Sequence, residues 1–70
     1  MTRVEGIRET DGVNAVFDLQ VSTVEELPHI GDAIGSHKVA AGTISQCIQD
    51  GRFYTLDSDD RNYDTDGNEA

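Results

Sequence analysis

The side chains best suited to chemistry in this 70-residue chain are the carboxylates close to its C-terminus. The candidate metal ligands among them are Asp57, Asp59, Asp64 and Asp66. Oxygen ligands at such alternating positions are how a loop wraps Ca²⁺. Neither run completes the known loop pattern, because residues 64–67 lack a distal Glu and residues 57–59 lack a central Gly. We therefore favour a solvated acidic segment, and we keep a calcium-dependent structural module as an alternative.

Histidine, cysteine and glycine offer little further chemistry. His29 and His37 lie eight residues apart, and each is expected to be a partly exposed residue without a fixed partner. Cys47 has neither a CxxC pattern nor a basic cluster to make its thiol reactive, so a packing role is expected. The glycines of residues 31–35 have no Lys at P-loop spacing. We predict no catalytic residues, no cofactor and no enzymatic activity.

The charge and size of the chain limit its partners. Its net charge of −9, from five basic and fourteen acidic residues, would repel nucleic-acid phosphates and anionic lipid. No apolar stretch approaches the roughly 18 residues of a membrane span. A domain of this size has a thin core and usually relies on disulfides, metal or a partner, and a single cysteine excludes an internal disulfide. Metal binding, self-association or docking on a larger protein is therefore expected to supply the remaining stability.

The hydrophobic pattern predicts a mainly β fold. We expect a small antiparallel sheet or partial barrel with one short helical turn, a flexible N-terminal arm and an acidic C-terminal tail. The domain boundaries place a polar arm at residues 1–12, a β domain at 13–63 and a flexible tail at 64–70. Apolar residues alternate strictly over residues 13–21, which is typical of a strand with one buried face. Further strands are predicted at residues 37–41, 43–48 and 52–56, with a short one at 61–63.

Between the first two strands, the sequence predicts a single helical turn. Ser22 or Thr23, followed three residues later by Glu, forms a capping box, and Pro28 ends the turn after Leu27. The apolar residues of this connection are expected to cover the buried face of the first strand; they are Val24, Leu27 and Ile30.

The Asp50-Gly51 pair predicts a hairpin whose loop length decides which side chains share a face. A two-residue loop pairs Cys47 with Tyr54 and divides the apolar residues between two faces. A three-residue loop of residues 49–51 pairs Ile44 with Leu56 and gathers the apolar residues on one face. We prefer the three-residue loop, because it builds a single buried surface.

Three segments carry a family resemblance. Residues 21–28 (VSTVEELP), 30–36 (IGDAIGS) and 53–59 (FYTLDSD) resemble segments of small virion proteins from tailed bacteriophages and prophages, of the head-fibre, capsid-decoration or tail-appendage type. The resemblance covers roughly residues 20–60. Such segments often carry Trp where this chain has Asn62 or Tyr63, which departs from the pattern at the last strand. The resemblance implies a role in virion structure and assembly in the cytoplasm of a host bacterium.

The expected function is protein–protein assembly, as a head-decoration, head-fibre or connector-associated protein that contacts a capsid or tail protein and itself, for example as a trimer. The interface candidates are Val4, Ile7, Val16 and Phe53. The exposed strand edges of residues 13–22 or 52–56 are expected to pair with partners. An acidic inhibitor or DNA mimic that binds a basic protein is the main alternative. The mobile tail argues against it, since a mimic needs carboxylates ordered on a folded face.

Overall fold

The computed structural model describes all residues from 1 to 70 and has a mainly β fold with one 3₁₀ turn. The elements are β1 (Thr2–Thr10), β2 (Asn14–Val21), the 3₁₀ turn (Val24–Glu26), β3 (Ala33–Ile34), β4 (His37–Val39), β5 (Ile44–Cys47), β6 (Arg52–Leu56) and β7 (Asn62–Asp64). The mainly β class and the single helical turn are confirmed. The seven strands form one sheet that does not close into a barrel.

Strand β2 is the centre of this sheet. It pairs antiparallel with β1 along one edge, and its other edge pairs in parallel with β4 and then with β5. The sheet is therefore mixed and not purely antiparallel, because the connection after β2 crosses over before β4 and β5 return beside it. The remaining pairs, β3 with β4, β5 with β6 and β6 with β7, are antiparallel.

The core lies on one face of the sheet. Its β2 part is the alternating series predicted from the sequence, in which Ala15, Phe17, Leu19 and Val21 are each at most 3% exposed. Leu27 and Val24 from the connection pack against Val21, so these two residues cover the sheet as predicted. The prediction for Ile30 is wrong, because this residue is exposed, and Ile34 packs on the core instead. The covered face is the one that carries the apolar side chains of β2.

The 3₁₀ turn has the predicted capping interaction. The Glu26 carboxylate accepts hydrogen bonds from the backbone amides of Ser22 and Thr23, both at 3.1 Å. Leu27 returns to an extended conformation, with ψ 139°, immediately before Pro28. The proline therefore ends the turn where the sequence predicted, because it excludes a helical residue before it.

The predicted N-terminal arm is wrong, because residues 2–10 form strand β1. The hairpin that returns the chain closes at Asp11, whose carboxylate accepts hydrogen bonds from the amides of Val13 and Asn14 at 3.1 and 2.7 Å. Gly12 supplies the positive φ of 97° that the turn needs. Backbone pairing with β2 holds the segment in place although its sequence is polar. Register shifts next to Glu5 and Arg8 mark two β-bulges.

Both registers considered for the β5–β6 hairpin are wrong. Ser45 lies opposite Tyr54 and Cys47 opposite Arg52, so residues 48–51 form a four-residue loop. The Asp50 carboxylate stabilises this loop, because it accepts hydrogen bonds from the Arg52 amide and the Tyr54 hydroxyl. Cys47 is consequently buried, whereas Ile48 is 55% exposed.

The predicted flexible tail is also wrong. The Asp64 amide donates to the Asn68 carbonyl and the Ala70 amide donates to the Asn62 carbonyl, both at 2.9 Å. Tyr63 and Glu69 form an antiparallel bridge. Residues 64–70 therefore fold back along the outer side of β7. This fold-back was not predictable, because residues 64–70 have few apolar side chains and are held by backbone hydrogen bonds and by the Asp64 carboxylate.

Strands β4 and β5 pair with the same edge of β2, and a threonine hydroxyl accepts the hydrogen bond of the amide that lies between them. Strand β4 pairs as far as Ala15, and β5 begins opposite Asp18, which leaves Phe17 between them. The buried Phe17 amide donates to Thr43 Oγ1 at 3.1 Å, and Thr43 Oγ1 donates to the Ala40 carbonyl at 2.9 Å. Thr43 is fully buried. One side chain thus satisfies two backbone groups at the junction.

Replacing this hydroxyl tests its contribution. We expect Thr43→Val to lower the free energy of unfolding by about 1–3 kcal/mol, because it leaves the buried Phe17 amide without an acceptor. Urea unfolding followed by far-UV circular dichroism measures the loss. Thr55→Val, the same change on an exposed position of β6, is the control and should have little effect. Equal stability of the two variants would contradict the role assigned to Thr43.

Candidate interaction surface

The edge of the sheet formed by β1 is open, whereas the edge formed by β7 is closed. Strand β1 pairs with β2 alone, so the other side of its nine-residue backbone has no partner strand. The far edge, β7, is covered by the folded-back residues 64–70. We call the unpaired side of Thr2–Thr10 the β1 edge. Unpaired strand edges invite pairing with another chain, and natural proteins usually protect them.

Two of the predicted interface residues lie on the β1 edge. Val4 is paired opposite Leu19 and Ile7 opposite Phe17, so both side chains share the face that carries the core. The bulge between them allows residues three apart to point the same way. They are 44% and 50% exposed, because the connection that covers β2 does not cover β1. The β1 edge therefore carries apolar side chains as well as free backbone groups.

The charged residues of β1 are placed toward the opposite face of the sheet, which we call the outer face. Arg8 Nε lies 2.9 Å from Asp18 Oδ1, and Asp18 is one of the β2 residues that alternate with the core. Arg3 is paired opposite Gln20 and Glu9 opposite Val16, which belong to the same alternating set. The bulges thus divide β1 into an apolar side and a charged side.

The other two predicted interface residues lie on the outer face. Phe53 is 50% exposed and pairs opposite Gln46, while Val16 is half-buried. Ile44 is half-buried beside them and was missed, because the preferred hairpin register placed it in the core. We call Val16, Ile44 and Phe53 the outer-face patch. The structure therefore divides the four predicted residues between two surfaces.

The strand edges predicted to meet partners are not open. Strand β2 pairs with β1 on one side and with β4 and β5 on the other. Strand β6 lies between β5 and β7. Both are interior strands, so β1 is the long strand of the sheet that keeps a free edge.

The candidate metal ligands bind groups of the chain itself. Asp64 accepts hydrogen bonds from the amides of Asp66 and Asn68, both at 2.9 Å, and contacts the Arg52 guanidinium at 3.1 Å. The Asp59 carboxylate accepts from the Arg61 amide and the Tyr63 hydroxyl. The Asp57 carboxylate accepts from the amide of the next residue. No three His, Cys, Asp or Glu side chains come together in a group that could hold a metal ion.

These hydrogen bonds shift the pKa values of the groups involved. The Asn68 amide, followed by the Asp66 amide and the Arg52 charge, lowers the pKa of Asp64. The hydrogen bond from Tyr54 lowers the pKa of Asp50, and the same bond raises the pKa of Tyr54. Asp59 and Tyr63 form a second pair of this kind, with the pKa of the acid lowered and that of the phenol raised. The carboxylates act as acceptors that close turns.

The two histidines lie apart. His29 Nδ1 is 3.6 Å from Asp60 Oδ2 at the rim of an open groove, where Arg61 and Glu69 also form an ion pair. His37 packs edge-on against the Phe17 ring and contacts the Ser36 hydroxyl at 3.2 Å. The lining of the His29 groove contains neither a hydroxyl nor a thiol. It therefore has no serine, threonine or cysteine nucleophile next to its histidine.

Comparisons of the chain with protein-family models, with curated proteins and with solved structures found no match. None of its helical segments has the length and apolar character needed to cross a membrane.

The shifted pKa values predict how stability depends on pH. Carboxyl groups whose pKa is lowered stabilise the folded state above the ordinary carboxyl pKa of about 4. This stabilisation is lost as the pH falls through their lowered pKa values. The raised pKa values of Tyr54 and Tyr63 contribute stability below about pH 10, and this is lost as pH rises through the raised values. The urea midpoint of unfolding should therefore be highest near neutral pH and should decrease in both acid and alkali.

Removing the two phenol groups provides the control for this prediction. In the double variant Tyr54→Phe, Tyr63→Phe, the alkaline decline should become shallower, because its two titrating hydroxyls are gone. An unchanged alkaline decline, or a wild-type midpoint that does not fall in acid, would contradict the assignment.

Proposed function

We propose that this protein is a structural module of a tailed-phage virion, of the head-decoration, head-fibre or connector-associated type, and that it acts by protein–protein assembly. The observation that carries the proposal is the unpaired β1 edge, together with exposed apolar side chains on this edge (Val4 and Ile7) and on the outer face (Phe53). Strand addition and side-chain packing are the two ways in which such surfaces bind other proteins. The resemblance of residues 20–60 to virion segments supplies the biological setting.

The thin core supports the same proposal. Only 14 of the 70 residues are buried, so the free energy of unfolding of the isolated chain is expected to be small. Binding to a repeated surface stabilises the folded state by mass action, and many identical weak contacts reinforce one another. A capsid or tail protein is the proposed partner, and the virion, assembled in the host cytoplasm, is the proposed location.

We assign the contact with the capsid or tail protein to the outer-face patch. Phe53 is an exposed aromatic residue beside Ile44, and aromatic anchors often dominate interface energies. The Arg8–Asp18 ion pair lies on the same face and would form part of a polar rim. The patch therefore has the composition of a small docking surface.

The carboxylate positions weigh against the alternative of a DNA mimic, although for a different reason than the sequence suggested. The tail is ordered, so its mobility is no longer an argument. Of the fourteen carboxylates, all but three accept a hydrogen bond or contact a cation within the chain, the exceptions being Glu9, Glu25 and Asp66. Their positions follow the turns of the chain. A DNA mimic needs its carboxylates in a regular row on one face, where a basic protein can bind them.

Sedimentation with virus particles tests the proposed function. Particles released from the bacterium that encodes the chain should carry it through a density gradient, at a fixed number of copies per particle. Added to particles that lack the chain, the purified protein should bind them. Protein that remains at the top of the gradient in both experiments would overturn the virion role.

Two lysine substitutions test whether particle binding depends on the outer-face patch or on any exposed apolar side chain. We expect Phe53→Lys to weaken particle binding by roughly 30-fold, since loss of an aromatic anchor costs about 2 kcal/mol. Ile48→Lys is the matched control, because Ile48 is 55% exposed but lies in the hairpin loop. Equal binding by the two variants would place the contact elsewhere.

A further inference from the structure

We propose that the β1 edge binds the β1 strand of a second copy of this chain, in an antiparallel pair about a twofold axis. Resting on the proposed role in assembly, this inference names the partner at one of its surfaces. The two seven-stranded sheets would join into one continuous sheet. The outer-face patch of each copy would remain free for a capsid or tail protein.

The apolar side of β1 is self-complementary. The residues opposite the β2 core positions Val21, Leu19, Phe17 and Ala15 are, in order, Thr2, Val4, Ile7 and Thr10. Read in reverse, this series again gives threonine, two branched aliphatic residues and threonine. The bulge residues Glu5 and Arg8 lie outside this ladder, so its seven positions are symmetric about Gly6. A twofold antiparallel pair centred on Gly6 therefore places Val4 across from Ile7 of the second copy, and Thr2 across from Thr10. Such a self-complementary pattern is what an isologous interface requires.

The charges of β1 match in the same register. Arg3 lies near one end of the strand and Glu9 near the other, both on the outer-face side. The twofold axis brings Arg3 beside Glu9 of the second copy, and the symmetry repeats the pair. Opposite charges across neighbouring strands are stabilising, whereas like charges are destabilising.

The position of β1 also reduces repulsion between two acidic chains. Its two arginines and two glutamates give a net charge of zero, while the whole chain carries −9. The acidic segment of residues 57–69 lies at the far edge, past β2, β5 and β6. Along the sheet, β1 and β7 are separated by four strand spacings, which is about 19 Å. This exceeds the Debye length of about 8 Å at physiological ionic strength, so salt screens most of the repulsion.

Pairing with a second copy would cover the exposed side chains of the edge. Val4 and Ile7 extend the apolar face of β2 past its covering connection, and each is about half exposed. The second copy supplies the same two side chains at the matching height. The four residues would form a small apolar cluster between the two cores. Association would thereby enlarge the thin core of each copy.

Charge reversal tests the register. Analytical ultracentrifugation of the wild-type chain should show a concentration-dependent mass that approaches twice 7.6 kDa. We expect Arg3→Glu and Glu9→Arg each to weaken the dimer at least tenfold, and the double variant to restore it. Lys38→Glu is the control, because it changes the net charge as Arg3→Glu does at an exposed position of β4. Circular dichroism checks that each variant folds.

Disulfide trapping locates the interface independently. A chain with Val4→Cys mixed with a chain with Ile7→Cys should form a mixed disulfide under mild oxidation, because opposed residues on paired strands have Cα atoms within disulfide reach. The Val4→Cys chain alone should cross-link far more slowly. The native Cys47 is fully buried and should not interfere.

The outcomes separate this inference from the proposed function. A wild-type chain that stays monomeric throughout the concentration series overturns the twofold pairing, even if it binds virus particles. A dimer that survives both charge reversals and gives no mixed disulfide also overturns it, because the copies then meet elsewhere. A β1 dimer that binds no particles confirms the pairing and overturns the virion role.

Discussion

The fold depends on strand β2 having every backbone group of its shared edge satisfied. Two strands, β4 and β5, divide that edge, and the Phe17 amide falls in the gap between them. The Thr43 hydroxyl fills the gap and binds the Ala40 carbonyl at the same time. Without such a group, a buried amide would lack an acceptor at the centre of the sheet. The junction lies where the two parallel pairings of β2 meet, so both pairings adjoin this one side chain.

Acidic residues play a structural part that the composition conceals. Asp11 closes the β1–β2 hairpin, Asp50 closes the β5–β6 hairpin, and Asp64 holds the last turn together. In each case a carboxylate accepts hydrogen bonds from nearby backbone amides, which is a strong interaction because the acceptor is charged. Much of the negative charge thus belongs to carboxylates that close the turns of a small domain.

The sequence predicted those parts of the fold that local patterns determine. The alternation from Ala15 to Val21, the Thr23–Glu26 capping and the end of the turn at Pro28 all depend on residues a few positions apart. The hairpin register was not predictable, because the bonds of Asp50 outweighed a better gathering of apolar residues. Strand β1 was missed since two bulges disrupt its alternation and its order comes from pairing with β2.

The candidate surfaces were predictable in composition but not in position. Val4, Ile7, Val16 and Phe53 are unburied apolar residues, as expected. Which of them share a face depends on the bulges and on the strand order, and neither has a clear sequence signature. The free edge could not be located before the partners of β2 were known.

The strand order also determines when parts of the molecule can form. The β1–β2 hairpin needs only a local turn, and hairpins close in about 1–10 μs. The contact of Val21 with Cys47 spans 26 residues, and such non-local parallel pairing is slow. Until β5 arrives, the hairpin exposes Phe17, Leu19 and Val21 to water, a state that favours aggregation. The strong negative charge then has a second consequence: it keeps unfinished chains apart while their cores are still open.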